Sequence, residues 1–101
     1  MKGNLKAELT VNNVSMELNA FAEQFLARTV FGAVSSLRGA ESIRDLELHL
    51  ERGEVRAVVN GNEIPITPFP RDIITGTITG MVSSLKGVGK IDSVKITIRG
   101  E

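Results

Sequence analysis

Apolar and polar residues alternate through Leu5, Ala7, Leu9 and Val11 against Lys6, Glu8 and Thr10, the period of a strand with one dry and one wet face. Asn12-Asn13 interrupts the alternation, and Val14, Met16 and Leu18 resume it. Because Asn tolerates positive φ, the break predicts a tight hairpin with a short second arm. After Asn19 the apolar spacing lengthens to three and four. Leu26, Val30, Ala33 and Leu37 then predict the core stripe of a helix over Ala20–Arg38, capped by Asn19 and stopped at Gly39. Ile43, Leu46, Leu48 and Leu50 return to the strand period, and Glu51-Arg52-Gly53-Glu54 predicts a turn.

The same succession then recurs. Val55, Ala57 and Val59 lead into Asn60-Gly61, a strong hairpin signal, and Ile64-Pro65-Ile66 forms a short return arm. Pro65 lacks an N–H, which confines that arm to an edge or an irregular position. Thr67 is the expected cap of a second helix over Pro68–Lys86, with Ile74, Ile78, Met81 and Leu85 as its stripe. A last strand follows at Ile91, Val94, Ile96 and Ile98.

Val34-Ser35-Ser36-Leu37-Arg38-Gly39 reappears as Val82-Ser83-Ser84-Leu85-Lys86-Gly87, and an offset of 48 pairs residues 6–50 with 54–98 without a gap. Of those 45 pairs 11 are identical, Phe21/Phe69, Thr29/Thr77, Gly32/Gly80 and Ile43/Ile91 among them. The expectation is an α+β domain of two tandem, pseudo-symmetric β-β-α-β repeats, about 1–53 and 54–101. Each half is too small to bury its apolar face alone, so the two should share one core, with a mainly antiparallel sheet and both helices on one face. If the short arms are not strands, the pattern reduces to the ferredoxin-like β-α-β-β-α-β order.

The run Val59-Asn60-Gly61-Asn62-Glu63-Ile64-Pro65-Ile66, with Phe69 and Thr77-x-x-Gly80-Met81-Val82-Ser83-Ser84-Leu85-Lys86-Gly87, resembles a family of small uncharacterised archaeal proteins, chiefly of methanogens. Members are similar to one repeat of this chain, which implies a fused dimer. The first half departs from the pattern: Asn13, Ser15, Glu17 and Ala20 stand where the second has Gly61, Glu63, Pro65 and Pro68. The shared motif is one of turn, cap and helix stop, and the resemblance carries no activity with it.

Charge narrows the function classes. Lys and Arg total 12 and Asp and Glu total 12, so the formal net charge is zero. The electrostatic footprint of a nucleic-acid or anionic-membrane binder is missing, and like copies repel one another little. With no cysteine and one histidine, disulfides, thiolate chemistry and a familiar zinc site drop out, and no cofactor or metal is expected. No run approaches the ~20 apolar residues of a membrane span, and the first residues lack a signal-peptide pattern, so a cytoplasmic protein is expected.

Few residues invite chemistry. His49, between Glu47 and Glu51 on the wet side of its strand, reads either as a carboxylate-oriented base or as a solvated strand residue, and the second is expected. No glycine run precedes a helix as a phosphate loop would. Gly32 and Gly80 instead share a helix flank with Ser36, Ser84, Thr29, Thr77, Phe25 and Ile73. Small residues there predict a close contact between the two helices, or else a surface for a partner helix or another copy. Phe31, flanked by Arg28 and Arg38 on the stripe placed opposite the core, is the expected contact site of a weak homodimer, with strand-edge pairing as the fallback. All four Phe fall in the predicted helices and there is no Tyr or Trp, so base stacking on the sheet, and with it RNA binding, is not expected. The reading is a non-catalytic protein-interaction or assembly module. Its alternative is a small-ligand-binding or regulatory domain, with the ligand between the helices and the Asn12-Asn13 and Asn60-Gly61 hairpins.

Overall fold

A computed structural model describes residues 5–37, 40, 42–85 and 87–100. Their order is β1 (Leu5–Val11), β2 (Val14–Met16), α1 (Ala20–Ser35), β3 (Asp45–Glu51), β4 (Glu54–Val59), β5 (Asn62–Ile64), α2 (Pro68–Ser83) and β6 (Ser93–Gly100). The six strands form one sheet in the order β2-β1-β6-β3-β4-β5, antiparallel at every pairing. The short arms are strands of three residues each. The central pair, β3 and β6, are the strands that follow the helices. A ferredoxin-like sheet centres on the strands that precede them, so the topology here differs.

Every tight turn joins residues that tolerate a left-handed backbone. Asn12 and Asn13 have φ of 51° and 67°, Arg52 and Gly53 have 52° and 79°, and Asn60 and Gly61 have 51° and 85°. Two successive positive φ values define the hairpin turn whose twist matches that of its strands. Two of the turns also work as clamps. Asn12 Oδ1 accepts from the amides of Asp92 and Ser93 (2.7 and 3.0 Å) while its Nδ2 donates to Lys90 O (2.8 Å). Asn60 repeats this one half later: Oδ1 accepts from Arg44 and Asp45 (2.8 and 3.1 Å), and Nδ2 donates to Ser42 O (3.0 Å). Each Asn therefore grips the segment leading into a central strand of the opposite half.

Register places Leu9, Ile96, Leu48, Ala57 and Ile64 side by side across five strands, all on one face. These residues are buried in a single cluster with Leu26, Ala27, Val30 and Val34 of α1 and Ile74, Ile78 and Val82 of α2. Both helices therefore cover the same face, leaving Glu8, Thr97, Glu47, Val58 and Glu63 along the uncovered one.

The helices start as expected but end early. Asn19 Oδ1 accepts from Ala22 N at 2.7 Å. Thr67 makes no such bond, because the equivalent third helical position is Pro70, which has no N–H to offer. At the far end α1 stops at Ser35 and α2 at Ser83, three residues short of the expected Arg38 and Lys86. Ser36 Oγ donates to Gly32 O and Ser84 Oγ to Gly80 O, each at 3.0 Å. Hydroxyls of that kind compete with the helical ladder, and the paired serines close each helix. Arg38, Gly39 and Lys86 lie outside the described residues, as does the stop predicted at Gly39.

Candidate interaction surface

Amphipathic helices normally turn charged residues outward. These do not. Exposed residues on α1 are Ala20, Phe21, Phe25, Arg28, Gly32 and Ser35; on α2 they are Pro68, Phe69, Asp72, Ile73, Gly76, Thr77, Gly80 and Ser83. Of these 14 residues only Arg28 and Asp72 are charged. Phe21 is 74% exposed, Phe69 73%, Phe25 51% and Ile73 50%. Phe21 and Phe25 lean together at 5.7 Å between ring centroids, with their planes tilted by 47°.

The two helices touch sparsely. Between the first turns of α1 and the last turn of α2 runs an open groove of about 420 Å³, walled by Leu18, Phe21, Phe25, Met81 and Leu85. That placement sets the helices antiparallel. At the opposite end, Phe69 and Ile73 hold the positions of Phe21 and Phe25, 48 residues later. Two apolar patches thus occupy opposite ends of one helix layer, both directed away from the sheet.

Gly32 and Gly80, expected to bring the helices together with Ser36 and Ser84, do not. All four are exposed, and a Cβ built on either glycine meets nothing within 4 Å. The flank is open surface, continuous along each helix with the exposed Phe and Ile side chains.

Phe31 is not on the outer stripe either. It is half-buried and packs against the core. Full burial of Ala27 and Val34 rotates the core stripe away from Ala33 and Leu37 towards the Phe31 side, since position 31 is four residues from 27 and three from 34. Arg28 is exposed, and Arg38 is outside the described residues. The expected site is thus dispersed, while Phe21 and Phe69, which belonged to no expected surface, come to the surface beside Phe25 and Ile73 of the glycine flank. The Phe21/Phe69 identity at offset 48 was the available signal: an aromatic repeated at a position that the core does not use.

The sheet's open face has the opposite character. Lys95, His49 and Arg56 stand in one row across β6, β3 and β4, next to a row holding Glu8, Glu47 and Glu63. His49 Nε2 lies 3.0 Å from Glu47 Oε1, and Arg56 reaches Glu63 at 3.3 Å. Glu51 stands opposite Glu54 on the neighbouring strand. His49 is flanked in its row by Lys95 and Arg56. Among the described residues no group of three His, Asp or Glu side chains is placed to hold a metal.

The β1 edge of the sheet is taken. Glu23 Oε2 accepts from Ala7 N at 3.0 Å, and Gln24 accepts from Leu5 N and donates to Leu5 O at 3.4 and 2.7 Å. Side chains of α1 thus occupy the part of β1 that β2 is too short to cover. The turn asparagines expected near a ligand are engaged as clamps and do not line the groove. No helix is long and apolar enough to cross a membrane.

An α+β domain with a six-stranded antiparallel sheet and two helices on one face is the class that these features define. No known protein family, curated protein or solved structure matches the chain.

Proposed function

We propose that this protein is a non-catalytic interaction module that docks through the outer face of its helix layer. One observation carries the reading: three of the four Phe residues, with Ile73, stand exposed on helix stripes that hold only two charges among 14 residues. Depletion of charge with enrichment of aromatics is what separates the centre of an interface from ordinary surface. At about 200 Å² for a whole large apolar side chain, the four exposed fractions amount to about 500 Å². They fall into two patches of about 250 Å² each, one at either end of the helix layer. The chain is read as a tandem duplication of a β-β-α-β unit, which accounts for the paired patches, the paired Asn clamps and the paired serine stops.

Photo-crosslinking tests the docking face. With p-benzoylphenylalanine in place of Phe25, irradiation in cells should yield protein adducts; in place of Thr97, on the open sheet face, it should yield few. Equal adducts from both positions, or more from position 97, contradict the reading.

The groove favours a second reading, an apolar small-molecule site. Its volume falls in the range of ligand pockets, and its lining is apolar, with Asn19 and Ser84 as polar members. A thermal shift with a hydrophobic ligand, abolished by Met81→Glu, supports it; no shift across a panel of such ligands removes it.

A further inference from the structure

We infer that the occupant of this face is a second copy of the same chain, seated helix layer against helix layer in a closed two-fold dimer. The inference rests on the docking role of the helix face and specifies its partner. Both apolar patches face the same way, one at each end of the antiparallel helix pair, so a single partner lying across the layer covers both. A partner that matches two equivalent patches needs two of its own at the same separation, and this chain carries them. The surface carries Arg28 on α1 and Asp72 on α2, the latter already paired with the partly exposed Arg71 at 3.3 Å, and the chain's net charge is zero, so overall repulsion does not oppose pairing. The area agrees as well. About 500 Å² of large apolar side chain is most of the ~800 Å² that a standard interface takes from each partner. The remainder comes from the small-residue stripes. Gly32, Gly76 and Gly80 leave open space above the helix surface, room for the protruding rings of the opposite copy.

Closure follows from the same arrangement. With both patches consumed by one partner, no apolar end is left to recruit a third chain, so assembly stops at two. Strand addition is disfavoured on the β1 side. The edge strands β2 and β5 have three residues each, Pro65 follows β5, and α1 side chains occupy the β1 edge.

Sedimentation equilibrium over a wide concentration series tests the proposal. Wild type should move from one chain mass to two and no further. Phe21→Ser and Phe69→Ser should each raise the dissociation constant about tenfold or more, and the double variant should stay monomeric with unchanged circular dichroism. Glu8→Ser, on the sheet face, should leave the constant within about twofold. A wild type that remains monomeric, assembly beyond two copies, or equal sensitivity to Glu8→Ser overturns the proposal. The photo-adduct from position 25 separates the two levels. An adduct of twice the chain mass containing only this chain's peptides supports the dimer. Adducts with a different protein alone overturn the dimer and leave the docking role standing, and no adduct at all removes both.

Discussion

The outer surface of the helix layer and the open face of the sheet both look into solvent, yet they are built on opposite rules. Along the sheet, rows of Lys and Arg adjoin rows of Glu, and ion pairs such as Arg56–Glu63 tie them together. Along the helices, Phe, Ile, Gly, Ser and Thr prevail, and one Arg and one Asp supply all the charge among the exposed positions. Exposed pairs on a sheet contribute little to stability, but desolvating them is costly, so that face keeps its water. Exposed Phe has no such attachment to water, and burying one contributes about 1.5–3 kcal/mol. In a two-layer domain each layer has one inner and one outer side. The inner sides fix the fold, while the outer sides divide into one lined with charge and one that exposes apolar side chains.

Substitutions sharpen or break that division. The largest effect belongs to the inner side. Leu48, fully buried at the sheet centre, should cost about 2–5 kcal/mol in chemical denaturation when changed to Ala. His49→Ala, one residue along but on the wet side, should change stability by less than about 0.5 kcal/mol. If His49→Ala matched Leu48→Ala, the sheet's outer face would not be a simple solvated surface.

Next come the turn clamps that lock the halves together. Asn60→Ala removes two accepted amide bonds and one donated bond, and leaves Ala at φ 51°. A loss of about 2–3 kcal/mol is expected, with Asn12→Ala close behind. A cost below about 0.5 kcal/mol for either would mean that the cross-connections contribute little.

Association should respond to salt in a way that separates the two faces. Pairing through the helix layer should be insensitive to sodium chloride and strengthened by sulfate, because it buries apolar surface. Pairing through the charged sheet rows would weaken as chloride rises. Light scattering across a salt series reads the difference.

The smallest effect expected is at Thr75, whose Oγ1 is buried without a hydrogen-bond partner among the described residues. Thr75→Val removes the unpaired hydroxyl while keeping the shape, and should leave stability unchanged or raise it by up to about 1 kcal/mol in thermal unfolding. A clear loss would mean that the hydroxyl is satisfied after all.

Strands and turns were legible in the chain because their signals are local and binary. Alternation assigns each residue to a face, and Asn-Asn, Arg-Gly and Asn-Gly mark the hairpin turns, where two successive positive φ values fall. The helix starts were legible for the same reason. The stops were not, since a Gly three residues further on is a stronger stop signal in a sequence than a serine hydroxyl folding back onto Gly32 O or Gly80 O. The rotation of α1 was missed through Ala27, a residue too small to register in an apolar stripe but the one whose complete burial turns Phe31 inward. The helix–helix contact failed because small residues permit close approach without requiring it. At Gly32 and Gly80 the neighbouring helix is simply elsewhere. The candidate surface was therefore half-legible. The flank with its glycines, serines and Phe25 could be picked out from spacing alone, but whether it faced the other helix or the solvent depended on how far apart the sheet holds the helices.

The division between the two faces is tested most directly by pulsed electron–electron distance measurements between copies. The chain has no cysteine, so a single introduced thiol carries the only spin label. Ser83→Cys places it on the helix face, and Thr97→Cys on the open sheet face. The account predicts a short intermolecular distance from position 83 and, from position 97, one of about twice the 19 Å thickness of the molecule. A short distance from position 97 with a long one from position 83, or no dipolar signal from either label in concentrated solution, would contradict it.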